Sequence, residues 1–204
     1  MIHDFCAQFD DILIRPLHRY DIDYLRQWRN NKELSKYLRD VGTVDEEAQQ
    51  RWYDRYLRDT DTFFFAVDYK RKRTVGALAL YNFEQSRCEI GKFVIGESET
   101  KGHKVGQCAF LMAMGIAHIF MGVQNFHLSV HEENAPARHV YERLGFYVIG
   151  SHDFEKGGKE LEMMVEASQL KKLEASEKIR FFKENDTNIT EWRKAEVLID
   201  EECR

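Results

Sequence analysis

Apolar and polar residues alternate along this chain in two periods, and the switches between them set out its elements. Ile12-Leu13-Ile14, bounded by Asp11 and stopped at Pro16, predicts a first strand. Asp21 stands where a helix cap belongs, ahead of Ile22, Leu25, Trp28 and Arg29 at helical spacing. Thr43 followed by Glu46 forms a capping box that opens a second helix through Trp52, Tyr53, Tyr56 and Leu57. Phe63 to Val67 and Thr74 to Tyr81 predict two strands, with the basic run between Asp68 and Arg73 read as a solvated hairpin turn. Cys88 to Ile95 is a fourth strand, antiparallel to its predecessor across the short link from Asn82 to Arg87.

The second half repeats the alternation. A helix runs from about Lys104 to Met121 with Val105, Ala109, Met112, Ile116 and Ile119 on one stripe. Phe126 to His131 alternates strictly and is a fifth strand. His127 and His131 share its polar side, but four residues of strand separate them by roughly 13 Å, too far for one metal ion. Asn134 caps a helix that carries Pro136 in its first turn and ends at Gly145. Phe146 to Ile149 and Leu161 to Val165 close the sheet as a pair of strands. The texture changes after this, so residues 1–166 are expected to form one domain and 167–204 an extension. Gln169 to Lys183 reads as a charged helix, and Trp192, Val197, Leu198 and Ile199 predict docking on the body or on a second copy in a homodimer.

Composition narrows the class. With 43% hydrophobic and 32% charged residues the chain reads as a soluble globular protein, and 204 residues suit one sizeable core. The net charge of -5 gives no electrostatic footprint for nucleic acid. No apolar run is long enough to span a bilayer and the N-terminus lacks a signal pattern, so no membrane partner and a cytoplasmic location are expected. Cys6, Cys88, Cys108 and Cys203 are widely spaced, which argues against a zinc knuckle or a disulfide framework. Neither Cys88 nor Cys108 has a neighbouring histidine motif, so both read as packing thiols.

Chemistry concentrates between Cys88 and Phe146. An apolar strand runs into a glycine-bearing loop that opens on a helix, and the free amides of a helix start attract anions. The loop Lys101-Gly102-His103-Lys104-Val105-Gly106 resembles the pattern Gln/Arg-x-x-Gly-x-Gly/Ala, with Lys101 at the first position and Lys104 in place of the first glycine. Asn134 to Phe146 matches Asn-x-x-Ala/Ser-x-x-x-Tyr-x-x-x-Gly-Phe at every fixed position. With the element order, these motifs resemble the GNAT acyl-coenzyme A acetyltransferase superfamily over Ile12 to Val165. Trp28-Arg29-Asn30 and Glu89-Ile90-Gly91 resemble its branch of ribosomal-protein, spermidine and amino-sugar N-acetyltransferases.

The resemblance implies an α/β (α+β) GNAT fold: a central mixed, mostly antiparallel sheet of about six to seven strands flanked by helices. Its fourth and fifth strands splay for coenzyme A. It implies an N-acetyltransferase that moves an acetyl group from acetyl-coenzyme A to a primary amine, by direct attack in a ternary complex and without a metal. Phe93, Val94 and Ile95 would pair with the pantetheine arm. Lys101, Gly102, His103, Lys104, Val105 and Gly106 would hold the pyrophosphate, with Asn134 and Ala137 also at the coenzyme. Tyr141 would be the acid for the departing thiolate, Glu89 the base, and Trp28, Arg29, Asn30 and Tyr81 the acceptor wall. The acceptor stays open between a small-molecule amine, an amino sugar and a peptide N-terminus. A polyamine would call for Asp40, Asp45, Glu46 and Glu84, a nucleotide sugar for Arg39, Tyr37, Tyr81 and Lys92. The alternative is a non-catalytic acyl-coenzyme A binding module, favoured by Lys104 and opposed by Tyr141.

Overall fold

The computed structural model describes residues 3–39, 41–70, 73–100, 102–170 and 179–184. Its strands are β1 (Phe5–Phe9), β2 (Ile12–Pro16), β3 (Phe63–Tyr69), β4 (Arg73–Glu84), β5 (Arg87–Ile95), β6 (Asn125–His131), β7 (Tyr147–Asp153), β8 (Lys159–Glu166) and β9 (Arg180–Lys183). Its helices are α1 (Ile22–Asn30), α2 (Lys32–Ser35), α3 (Glu46–Tyr56), α4 (Val105–Met121), α5 (Ala135–Arg143) and α6 (Ala167–Leu170). Together the strands make one sheet in the order β7-β8-β6-β5-β4-β3-β2-β1-β9. Only β5 and β6 pair in parallel, because α4 is the crossover between them.

The expected strands are all present, lengthened at their ends, and two more extend the sheet. Asp10, at φ 47, turns the chain tightly so that β1 pairs back on β2. The helix expected from Gln169 to Lys183 gives way at its end, where Arg180–Lys183 pair with β1 and bury Phe181. Residues 171–178 lie outside the described residues, as do Trp192, Val197, Leu198, Ile199 and Cys203.

Two cores flank the sheet. On one face α4 and α5 pack over Ile14, Phe65, Leu78, Ile90, Phe126 and Val165. The stripe on α4 holds from Val105 to Ile116, but Ile119 is 39% exposed. Phe120 takes its place inward, stacked 5.3 Å from Phe5 of the strand that the sequence pattern missed. On the other face Leu17, Ile22, Tyr53, Tyr56, Phe64, Ala66 and Ala79 form a smaller core under α1 and α3.

Asp21 is fully buried and does not cap α1. Its oxygens accept from Arg15 at 2.8 and 2.9 Å, from the Thr74 hydroxyl at 2.6 Å and from the His18 amide at 2.8 Å. Arg15 also donates to Asp68 at 2.7 and 3.1 Å, so one guanidinium ties β2, β3, β4 and the start of α1 together. A charged donor outcompetes a helix amide for a buried carboxylate. The capping box also shifts: Asp45, not Thr43, caps α3 by accepting from the Ala48 amide at 2.7 Å.

Candidate active site

The site opens where β5 leaves β6. β5 pairs with β4 as far as Ile95 but with β6 only at Arg87↔Asn125, Cys88↔Phe126 and Glu89↔His127. From Ile90 onward the β6-facing edge of β5 therefore has no strand partner, and its polar groups are open to an extended ligand. Lys92, at φ 48, marks a bulge there: Ala79 faces Gly91 but Ala77 faces Val94, so β5 carries one extra residue. Phe93, Val94 and Ile95 follow the bulge on this free edge.

The glycine loop lies at the end of the same strand. His103 donates its amide to Thr100 O at 3.1 Å, and the Thr100 hydroxyl donates to Glu97 O at 2.6 Å, which preforms the turn. Lys104 adopts φ 52 and ψ 22, the left-handed conformation that glycine would accept at less cost. The amides of Val105, Gly106 and Gln107 begin α4 and have no acceptor within the helix. A Cβ on Gly106 would come 2.8 Å from Phe93, so this glycine lets α4 close on β5. Gln107, 5% exposed, holds a buried Nε2 without a partner among the described residues. A Cβ on Gly102 would meet nothing within 4 Å, so the loop faces open space. Open edge, free amides and space fit an extended arm ending in a pyrophosphate. Lys101 lies outside the described residues.

Tyr141 reaches the parting strands from the α5 side. It is 6% exposed, 5.1 Å by ring centroids from Phe110, which packs edge-on at 5.0 Å against Phe93. Burial pushes its phenol well above the ordinary tyrosine range. α5 is held by Asn134, whose side chain accepts from the Ala137 amide at 3.3 Å. Tyr81 approaches from the opposite face, with its hydroxyl over Gly91, where a Cβ would sit 2.9 Å away. Burial raises its phenol too, followed by the charge and hydrogen bond of Glu89, then by Tyr141. Asn82 donates to Glu89 at 3.1 Å, and the Lys92 ammonium lies 4.2 Å over the Tyr81 ring. Thus Glu89 bonds the Tyr81 hydroxyl, and Tyr141 lies within electrostatic reach of Tyr81.

Trp28, Arg29 and Asn30 are held by contacts of their own. Trp28 fills the space where a Gly96 side chain would be and donates to Glu97 at 3.4 Å. Arg29 donates to Arg39 O, and Asn30 grips Val44 through both its amide atoms. Beside Glu89 a cavity of about 500 Å³ is lined by residues that include Asp61, Glu84, Arg87, His127, Ser129 and Glu162. Of these only Glu84 was expected from sequence. Asp40 lies outside the described residues, Asp45 caps α3 and Glu46 pairs with Arg26 at 3.4 Å. Burial, then Arg87, lowers the His127 pKa, which favours its neutral form. No group of metal-binding side chains and no helix long and apolar enough to cross a membrane occur among the described residues.

A sheet parted beside a helix-start anion cradle, with a buried phenol at the fork, defines an acyl-coenzyme A transferase of the GNAT type. The chain matches the acetyltransferase (GNAT) domain over residues 11–147 and belongs to that family. It is an N-acetyltransferase that draws its acetyl group from acetyl-coenzyme A. It is 27% identical over 151 residues to the spermidine N(1)-acetyltransferase of Escherichia coli K12, covering 72% of this chain and 80% of that one. The Vibrio cholerae enzyme of the same name is 22% identical over 141 residues, covering 68% and 80%. Among solved structures, Vibrio cholerae spermidine N-acetyltransferase with CoA and spermine superposes at TM-score 0.70 with 21% identity, covering 78% of this chain and 97% of that one. Mycobacterium smegmatis RimJ with CoA-disulfide gives TM-score 0.68 at 19% identity, covering 82% and 89%.

Proposed function

We propose that this enzyme acetylates a primary amine of a small polycationic molecule by direct attack in a ternary complex. The observation that carries the reading is the Glu89–Tyr81 pair where β5 leaves β6, within electrostatic reach of the buried Tyr141 and next to a cavity rich in carboxylates. When bound, acetyl-coenzyme A supplies the thioester that is cleaved. Tyr141, kept protonated by burial, holds the proton that the departing thiolate needs. Glu89, steadied by Asn82 and Tyr81, attracts the acceptor's ammonium and takes its proton so that nitrogen can attack. Phe93 to Ile95 and the amides of Val105 to Gln107 orient the donor.

The acceptor reading rests on charge. The cations and aromatics that a nucleotide sugar would want are scattered: Arg39 lies 3.9 Å from Glu160, Tyr37 stacks on His131 and Lys92 covers Tyr81. The carboxylates Asp61, Glu84, Glu89 and Glu162 instead share one cavity with a single arginine. That matches the spermidine acetylation for which the relatives are named. Cys6, Cys88 and Cys108 are buried thiols outside any disulfide among the described residues, which supports a reducing, cytoplasmic setting. Thiol release from acetyl-coenzyme A, measured across polyamines, amino sugars and peptides, tests the proposal. Release is expected to be fastest with a polyamine. Acetyl-coenzyme A binding without release on any amine would make the protein a non-catalytic module.

A further inference from the structure

The acceptor cavity has two ends. Glu89, on β5, faces His127 of β6; one side-chain step along β6, Ser129 faces Glu162 of β8. Glu89 and Glu162 thus point to the same face of the sheet, two strands apart, with Cα atoms about 12 Å from each other by strand spacing. Both line the cavity, with Asp61 on its rim. Arg87, the one arginine or lysine among the lining residues, is already paired with Glu84. No other arginine or lysine lines the cavity beside Glu89 at one end or Glu162 at the other.

Glu162 is also held in place. Its Oε1 lies 3.3 Å from His152 Nδ1, and the other ring nitrogen of His152 is 3.0 Å from Glu160. Opposite, Gly150 leaves the carboxylate room: a Cβ there would be 3.0 Å from Oε2. A carboxylate on a paired strand, braced by an imidazole and half-exposed to the cavity, is a fixed counter-charge rather than a floating surface group.

We infer that Glu162 is a specificity-determining residue: it receives the second ammonium group of a diamine or longer polyamine while the first is attacked beside Glu89. This inference rests on the amine-transfer reading above. A monoamine of similar length reaches Glu89 but leaves Glu162 unused, so the enzyme favours acceptors with at least two positive charges. The gain is carried by binding, because Glu162 lies away from the fork.

Initial rates with spermidine, putrescine and butylamine at fixed acetyl-coenzyme A, for the native enzyme and for Glu162→Gln and Glu162→Asp, test this. For Glu162→Gln the KM for spermidine and putrescine should rise about three- to tenfold with kcat unchanged, and butylamine kinetics should not move. Glu162→Asp should recover part of the loss. Equal KM values for butylamine and putrescine in the native enzyme would overturn the inference, as would a Glu162→Gln effect shared by all three amines or absent from all. Melting curves that match the native enzyme confirm that these variants fold. A native enzyme that binds acetyl-coenzyme A but acetylates none of the three fails at the amine-transfer reading itself, a result distinct from the others.

Discussion

Lys104 is the residue at which this chain departs most from its family pattern, and its backbone carries the consequence. A Cβ in the left-handed region costs about 1–2 kcal/mol, of which glycine's greater freedom when unfolded offsets about 0.5–1. Lys104→Gly should therefore raise stability by up to about 1 kcal/mol, read from urea unfolding; a loss of stability would show that the ammonium is worth more than the strain. That difficulty was legible in the sequence, since a motif glycine replaced by lysine names its own problem. Tyr141 was legible for the same reason, standing at a fixed position of a helix motif. Glu162 and Asp61 were not. They enter the cavity through pairing between β6 and β8 and through the chain before β3, and no local spacing records such a juxtaposition.

At the scale of elements, alternation and apolar runs predicted β2 to β8; in β2 to β6 and β8 they report burial, whereas β7 is exposed along Tyr147, Val148 and Ile149 and is held by its pairing with β8. Phe5–Phe9 and Arg180–Lys183 escaped because the second is the edge strand, the first is its neighbour, and the burial of each depends on the other and on Phe120. The bulge at Lys92 escaped as well, since an inserted residue in a strand leaves no compositional mark. What aligns β5 with α1 is the contact of Gly96 with Trp28. A methyl group there would fall 2.0 Å from the indole nitrogen, so Gly96→Ala must displace the ring. A loss of about 1–3 kcal/mol is expected, seen as an earlier unfolding midpoint, and acetyl-coenzyme A affinity should fall with it. An unchanged midpoint would mean that Trp28 moves freely and does not set the wall.

Across the whole molecule, stability depends on two buried ionisable groups that act in different pH ranges. His3 is 6% exposed, bonded to Phe64 O at 2.9 Å, and burial lowers its pKa from 6.5 to about 4. The unfolded chain takes up that proton first, so stability should fall as pH drops from 6.5 towards 4, by about 3 kcal/mol in all. Replacing the ring by His3→Phe should flatten this slope in acid-unfolding curves. Asp21 contributes at lower pH. Burial works against its charge, but the bonds from Arg15, Thr74 and His18 outweigh it and hold its pKa below 3.8. Its contribution is present above that value and is lost below it. Asp21→Asn leaves Arg15 buried with one fewer carboxylate and should cost about 3–5 kcal/mol at neutral pH; a cost near zero would remove the hub from the account.

The functional account turns on the phenol at the fork. The direct measurement is kcat together with the acetyl-coenzyme A dissociation constant for Tyr141→Phe, using the best amine from the acceptor screen. If Tyr141 hands its proton to the departing thiolate, kcat should fall at least about 100-fold while coenzyme affinity stays within about twofold. An unchanged kcat, or a loss of affinity that accounts for the whole effect, would contradict it.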